Sequence, residues 1–94
     1  MNYDQAVELL ETTHQFPCEY AFKAVGKVDD GFIARVVATV KAELFLNEEP
    51  AHHLRYTRGR RHVSVTVRAQ VASPAEVLSV YSRLREVDGL VMLL

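Results

Sequence analysis

His62-Val63-Ser64-Val65-Thr66-Val67-Arg68-Ala69-Gln70-Val71-Ala72 runs directly into Ser73-Pro74-Ala75-Glu76. In the first segment Val63, Val65, Val67, Ala69 and Val71 fall on one side, and His62, Ser64, Thr66, Arg68 and Gln70 on the other. Strict alternation over that length predicts a strand with one face on a core and one face outward. The second segment predicts a helix start. Serine stands at the N-cap, proline at the first helical position, and a glutamate three residues after the serine completes a capping box. Val77, Leu78, Tyr81 and Leu84 make the stripe this helix buries. Asp88-Gly89 ends it, the glycine accepting a left-handed conformation. Leu90 to Leu94 then reads as a final strand, apolar on both sides.

Upstream, Gly59 between Arg58 and Arg60-Arg61 predicts a hairpin turn over 58–61, which pairs the alternating strand with a weaker one over 51–57. Before that lies a helix running to about residue 46, with Phe32, Ile33, Val36, Val37, Val40 and Leu44 on one face. Asp29-Asp30-Gly31 opens it, because a carboxylate accepts from the free N–H groups of a first turn and suits the helix dipole. Residues 18–26 alternate again, with Tyr20, Phe22 and Ala24 opposite Glu19, Ala21 and Lys23, and Gly26 closes the strand. Tyr3, Val7 and Leu10 share a face of a short N-terminal helix, 3–12, which must dock to persist. Phe16-Pro17 ends that helix.

The predicted order is β-α-β-β-α-β with a helix added in front. The expected class is therefore α+β: a ferredoxin-like sandwich with a four-stranded antiparallel sheet and two helices on one face. We divide the chain into a helical extension, 1–15, and a ferredoxin-like domain, 16–94. Ninety-four residues suit a single domain. The 49% apolar content excludes a disordered chain. A net charge of −1 speaks against a general nucleic-acid binder, whose affinity rests on many unpaired cations. One cysteine, Cys18, allows no internal disulfide, and no apolar stretch has the length that spans a bilayer. The expectation is a soluble cytoplasmic protein without membrane attachment.

Phe16-Pro17 with Lys23 and Gly26, then Gly59, His62, Ser64, Val65 and Val67, then Tyr81, Leu84, Val87 and Asp88 before the closing apolar run, give a pattern that resembles the YbeD-like family of small bacterial proteins of unknown function. The resemblance covers Phe16 to Leu94. It implies a ferredoxin-like fold similar to the ACT regulatory domain of phosphoglycerate dehydrogenase. Some members of the family are labelled proposed lipoate regulators. The resemblance supplies no catalytic residues and no cofactor. This chain departs from the family in its arginine-rich hairpin. Asp30-Gly31-Phe32-Ile33 is also similar to the Asp-x-x-Gly turn of ACT domains, where small effectors bind, although the spacing is shorter and the proline before the glycine is missing. The likeness makes Asp29, Asp30 and Gly31 a candidate ligand site, against their simpler use as helix caps.

The second candidate site is Arg55, Arg58, Arg60 and Arg61 with His62. Guanidinium groups pair with phosphate or carboxylate in bidentate geometry, so this cluster could hold an anion or a partner. The simpler reading is a charged hairpin that keeps an edge strand from aggregating. RNA-recognition domains share this fold and carry a basic-Gly-aromatic signature on the third strand. Here Arg60, Arg61 and Val65 stand where aromatic or small residues belong, so the base-stacking platform is missing.

The remaining chemistry is thin. His14, His52, His53, His62 and Cys18 lack the spacing of a zinc site, and adjacent His52 and His53 on a strand point to opposite faces. Acylphosphatases use this fold with a phosphate loop after the first strand, but Gly26-Lys27-Val28-Asp29-Asp30 is acidic. Cys18 falls on the apolar side of its strand, and His62 with Ser64 lacks a third residue to orient the imidazole. We expect no metal, no cofactor and no catalytic group. The expected role is a small regulatory or binding module, sensing a metabolite or docking a partner protein, as a homodimer. The alternative is a nucleic-acid adaptor using the arginine hairpin.

Overall fold

A computed structural model of the chain describes residues 2–94. Three helices and four strands follow one another as α1 (Tyr3–Thr13), β1 (Cys18–Lys27), α2 (Phe32–Glu43), β2 (Ala51–Tyr56), β3 (His62–Val71), α3 (Pro74–Leu84) and β4 (Leu90–Leu93). The strands lie in the order β2-β3-β1-β4, each pair antiparallel. This is the α+β, ferredoxin-like arrangement that the alternation and the capping signals predict, with α1 added in front.

Alternation sets the core. Val63, Val65, Val67, Ala69 and Val71 of β3 are buried, and their partners on β1 include Phe22 and Ala24, also buried. α2 contributes Phe32, Val36, Val37 and Val40 to the same core, and α3 contributes Val77, Val80 and Leu84. One face of the sheet is thus covered by α2 and α3.

Glycine matters at one close approach. The ring of Phe32 lies against the backbone of Gly26, so that any Cβ there would overlap it. Phe32 opens α2 and is completely buried, so the absent side chain at Gly26 lets the helix start come down onto β1.

Several boundaries differ from the sequence reading. α2 ends at Glu43, not near residue 46, because Phe45 turns left-handed at φ 54° and the Leu46 N–H returns to the Lys41 carbonyl. α3 ends at Leu84, four residues before Asp88. Gly89, at φ 91°, shapes the turn into β4 instead, and its carbonyl accepts from the Lys27 N–H. At the start of α3, Ser73 Oγ accepts from the Glu76 N–H as expected, but the Glu76 carboxylate reaches back to the Ala72 N–H, one residue beyond the cap.

α1 carries a capping box that the sequence reading passes over, Asn2 with Gln5. Val7 and Leu10 are half-buried, as their spacing predicts, but Tyr3 is exposed. α1 packs against α3 and buries none of its residues completely. Among the described residues no helix is long and apolar enough to cross a membrane.

Candidate functional site

Strand pairing fixes which side chains face away from the helices. Buried Val65 and Val67 bracket Thr66, so Thr66 and its partners lie on the open side. Those partners are Lys23 on β1 and His53 on β2. The row next to it is Arg55, Ser64, Val25 and Met92, one residue from each of the four strands. The row on the other side is Ala51, Arg68 and Ala21, and Lys27 faces His62 at the hairpin end. The open face therefore holds Lys23, Lys27, Arg55 and Arg68 with His53 and His62. Among the described residues its single side-chain carboxylate is Glu19, opposite Gln70.

Charge is segregated between the two layers. The strands and the β2–β3 hairpin carry seven of the eleven cations, Lys23, Lys27, Arg55, Arg58, Arg60, Arg61 and Arg68. They carry one of the twelve carboxylates. The helices and remaining loops hold the other eleven acids against Arg35, Lys41, Arg83 and Arg85. Among the described residues the ion pairs are Arg35–Asp29, Arg83–Glu43 and Arg83–Glu86, all on the helical side. Among the described residues none of the seven sheet and hairpin cations forms an ion pair with a carboxylate.

The candidate arginines do not converge on one point. Arg55 and His62 belong to the open face through their pairing with Ser64 and Lys27. Arg58 and Arg61 stand at the exposed hairpin. Arg60 takes a left-handed conformation at φ 58°, and its guanidinium carbon sits 4.1 Å from the ring centre of Tyr56. Tyr56 pairs with buried Val63, so this cation–π contact lies on the helical side of the sheet edge. The turn is closed below by Thr57, whose N–H donates to the His62 carbonyl at 2.9 Å and whose Oγ1 accepts from the His62 N–H at 3.1 Å.

The acidic candidate is committed to the fold. Asp29 Oδ1 accepts from the N–H groups of Gly31 at 2.8 Å and Phe32 at 2.7 Å, which caps the first turn of α2. Arg35 Nη2 lies 3.0 Å from Asp29 Oδ2 and donates to the Asp88 carbonyl, also at 3.0 Å. The Gly31 N–H foremost, then the Phe32 N–H and the guanidinium, hold the Asp29 carboxyl below its usual pKa. Arg35 thus ties the β1–α2 loop to the turn before β4. Asp30 is exposed, and Gly31 leaves the space that Arg35 occupies.

The other sequence candidates scatter. His52 and His53 lie on opposite sides of β2, and His52 Nδ1 sits 3.2 Å from the Pro50 carbonyl oxygen. His14 packs beside Tyr20, with ring centres 5.1 Å apart. Cys18 is half-buried against the core. Tyr81 sits between Tyr20 and Phe22, and burial first, then the Tyr20 hydroxyl, pushes its phenol well above the usual range. Open grooves run along the helical side. One, of about 560 Å³, runs between α1 and α3 past Tyr3, Ala6, Leu78 and Ser79.

Sequence reasoning singled out the hairpin arginines and missed Lys23, Lys27, Arg68 and His53 as their neighbours. The signal was present. Lys23 and Arg68 occupy outward positions of two alternating strands, and combining outward positions across the predicted sheet would have gathered them.

The comparisons with known proteins agree with the resemblance and add no activity. The chain is 27% identical over 84 residues to a UPF0250 protein of Nitrosomonas europaea, covering 89% of this chain and 97% of that one. It is 31% identical over 75 residues to a UPF0250 protein of Shewanella amazonensis, covering 80% of this chain and 83% of that one. A family model described as a protein of unknown function, DUF493, matches residues 11–94, and with most of the chain accounted for, the chain belongs to that family.

Proposed function

We propose that the chain is a non-catalytic binding module of regulatory type, whose working surface is the open face of the sheet and whose partner is acidic. The observation that carries this reading is the segregation of charge. Seven cations with no carboxylate partner among the described residues gather on the strands and their hairpin, while eleven of the twelve acids lie on the helices and the remaining loops. Such a field steers an anionic partner to one face and repels it from the other. The net charge of −1 hides this polarity.

Two cationic faces repel each other, so a symmetric dimer in this reading uses a sheet edge, that of β2 or of β4. A nucleic-acid adaptor would draw on the same cations, with Arg58 and Arg61 extending the field to the hairpin. The open side of β1 and β3, however, offers Ala21, Lys23, Val25, Ser64, Thr66 and Arg68 between the imidazoles of His62 at the hairpin end and His53 on β2, and among the described residues of this face no Phe, Tyr or Trp platform on which a base could stack. The effector-sensing branch is served less well, because a ligand at Asp29 would have to displace Arg35 and the backbone of α2's first turn.

Titrating the isotope-labelled chain with poly-L-glutamate and following its amide resonances tests the reading. Shifts at Lys23, Arg55, Ser64 and Arg68 that vanish with added salt are expected. Shifts confined to the helices, or none at low salt, would remove it.

A further inference from the structure

The open face is not uniformly cationic. Along its β4 side the pairing skips one residue: Met92 pairs with Val25 and Leu90 with Gly26, which leaves Val91 as the extra, unpaired residue between them, while Leu90 and Leu93 pack on the core. Such a bulge aims two side chains where a regular strand would aim one. Val91 is 50% exposed and Met92 48%. The same row runs on through Ser64 to Arg55 at the far edge. Each half of the face thus has its own chemistry: apolar over β1 and β4, cationic over β1, β3 and β2.

We propose that this face seats an acidic amphipathic helix of a partner protein, lying along β1. The inference rests on the open sheet face being the docking surface for an acidic partner, and it names the partner's class. Its apolar stripe covers Val25, Val91 and Met92, and carboxylates on its flank meet Lys23, Arg55 and Arg68. Spacing supports the fit. Alternate residues of a strand are about 6.7 Å apart, and carboxylates at i and i+4 of a helix rise about 6 Å. The width also fits, since three strand intervals span roughly 14 Å and a helix with its side chains is about 10–12 Å across. A phosphate backbone would gain nothing from covering the apolar strip, and its bases would find no Phe, Tyr or Trp among the described residues of this face to stack upon. A second copy of the sheet face would bring cation against cation.

The test uses the full labelled chain and three probes. These are a synthetic Leu/Glu peptide with its leucines on one helical stripe, a scrambled peptide of the same composition, and a single-stranded oligothymidylate. The amphipathic peptide is expected to shift the amides of Lys23, Val25, Arg68 and Met92 and to bind about tenfold more tightly than the scrambled one, the effect of one buried apolar anchor. Met92→Gln, at an exposed position that leaves the core intact, is expected to erase most of that preference while leaving scrambled-peptide binding unchanged. Equal binding of both peptides overturns the proposal. So does oligothymidylate binding more tightly and without regard to Met92, an outcome that leaves the cationic docking face standing and changes only the partner. Shifts of the same amides on diluting the chain alone would make a second copy the occupant and would also overturn it. Silence of every sheet amide with all three probes would remove the docking face itself.

Discussion

Adding one methyl group at Gly26 perturbs the junction on which the α2 start, the Asp29 cap and the Arg35 tie depend. In the Gly26→Ala variant the new Cβ overlaps the edge of the Phe32 ring, which is fully buried and bounded by the sheet and by Gly89. Overpacking of this kind costs about 1–3 kcal/mol. The loss of glycine's freedom in the unfolded chain returns about 0.4–1 kcal/mol. A net destabilisation of about 1–2 kcal/mol follows, out of roughly 5–14 kcal/mol expected for a domain of this length. At about 4–8 °C per kcal/mol, the melting temperature falls by roughly 4–16 °C. Urea unfolding followed by circular dichroism measures it, and a double-mutant cycle isolates the cause. In a Phe32→Leu background the colliding ring is gone, so Gly26→Ala should cost nearly nothing there, and the two changes should be non-additive by about 1–2 kcal/mol. Additive costs, or a neutral Gly26→Ala in the wild-type chain, would refute the close approach of α2 to β1.

Three further outcomes are expected. Asp29 has a folded pKa below its unfolded value, so its contribution is complete above the ordinary carboxylate range and is lost as pH falls through the lowered value; Asp29→Asn should melt lower at neutral pH and lose stability less steeply than wild type below about pH 4. Tyr81 has a raised folded pKa, so the unfolded chain ionises first and stability falls as pH climbs above about 10; Tyr81→Phe should flatten that alkaline loss in thermal melts across pH. Arg60→Ala removes the stack on Tyr56 at an exposed site and should cost about 0.5–1 kcal/mol in chemical denaturation, with no effect on the α2–α3 side of the core.

Legibility in the sequence followed the range of the cause. β3 and the start of α3 were readable because alternation and Ser73-Pro74 act locally. Helix ends were harder. A glycine at position 89 drew the end of α3 four residues too far, while the true left-handed residue after α2 is Phe45, whose type gives no warning. Arg60 looked like its neighbours until its backbone conformation placed it on Tyr56. The candidate surface was half legible. Lys23 and Arg68 were already on outward positions, but their placement in neighbouring rows, with His53 beside Thr66 and Arg55 level with Met92, depends on strand register and a bulge, which no local pattern specifies. Net charge, an average over both layers, concealed the asymmetry.

Two variants of identical net charge bear most directly on the claim that one face does the docking. Arg55→Glu with Arg68→Glu reverses two cations on the open sheet, and Lys41→Glu with Arg85→Glu reverses two on the helical side. Binding of poly-L-glutamate at low salt, read by fluorescence anisotropy, should collapse for the first variant and persist close to wild type for the second. Equal weakening of both would mean that overall charge, and not the open face of the sheet, governs binding.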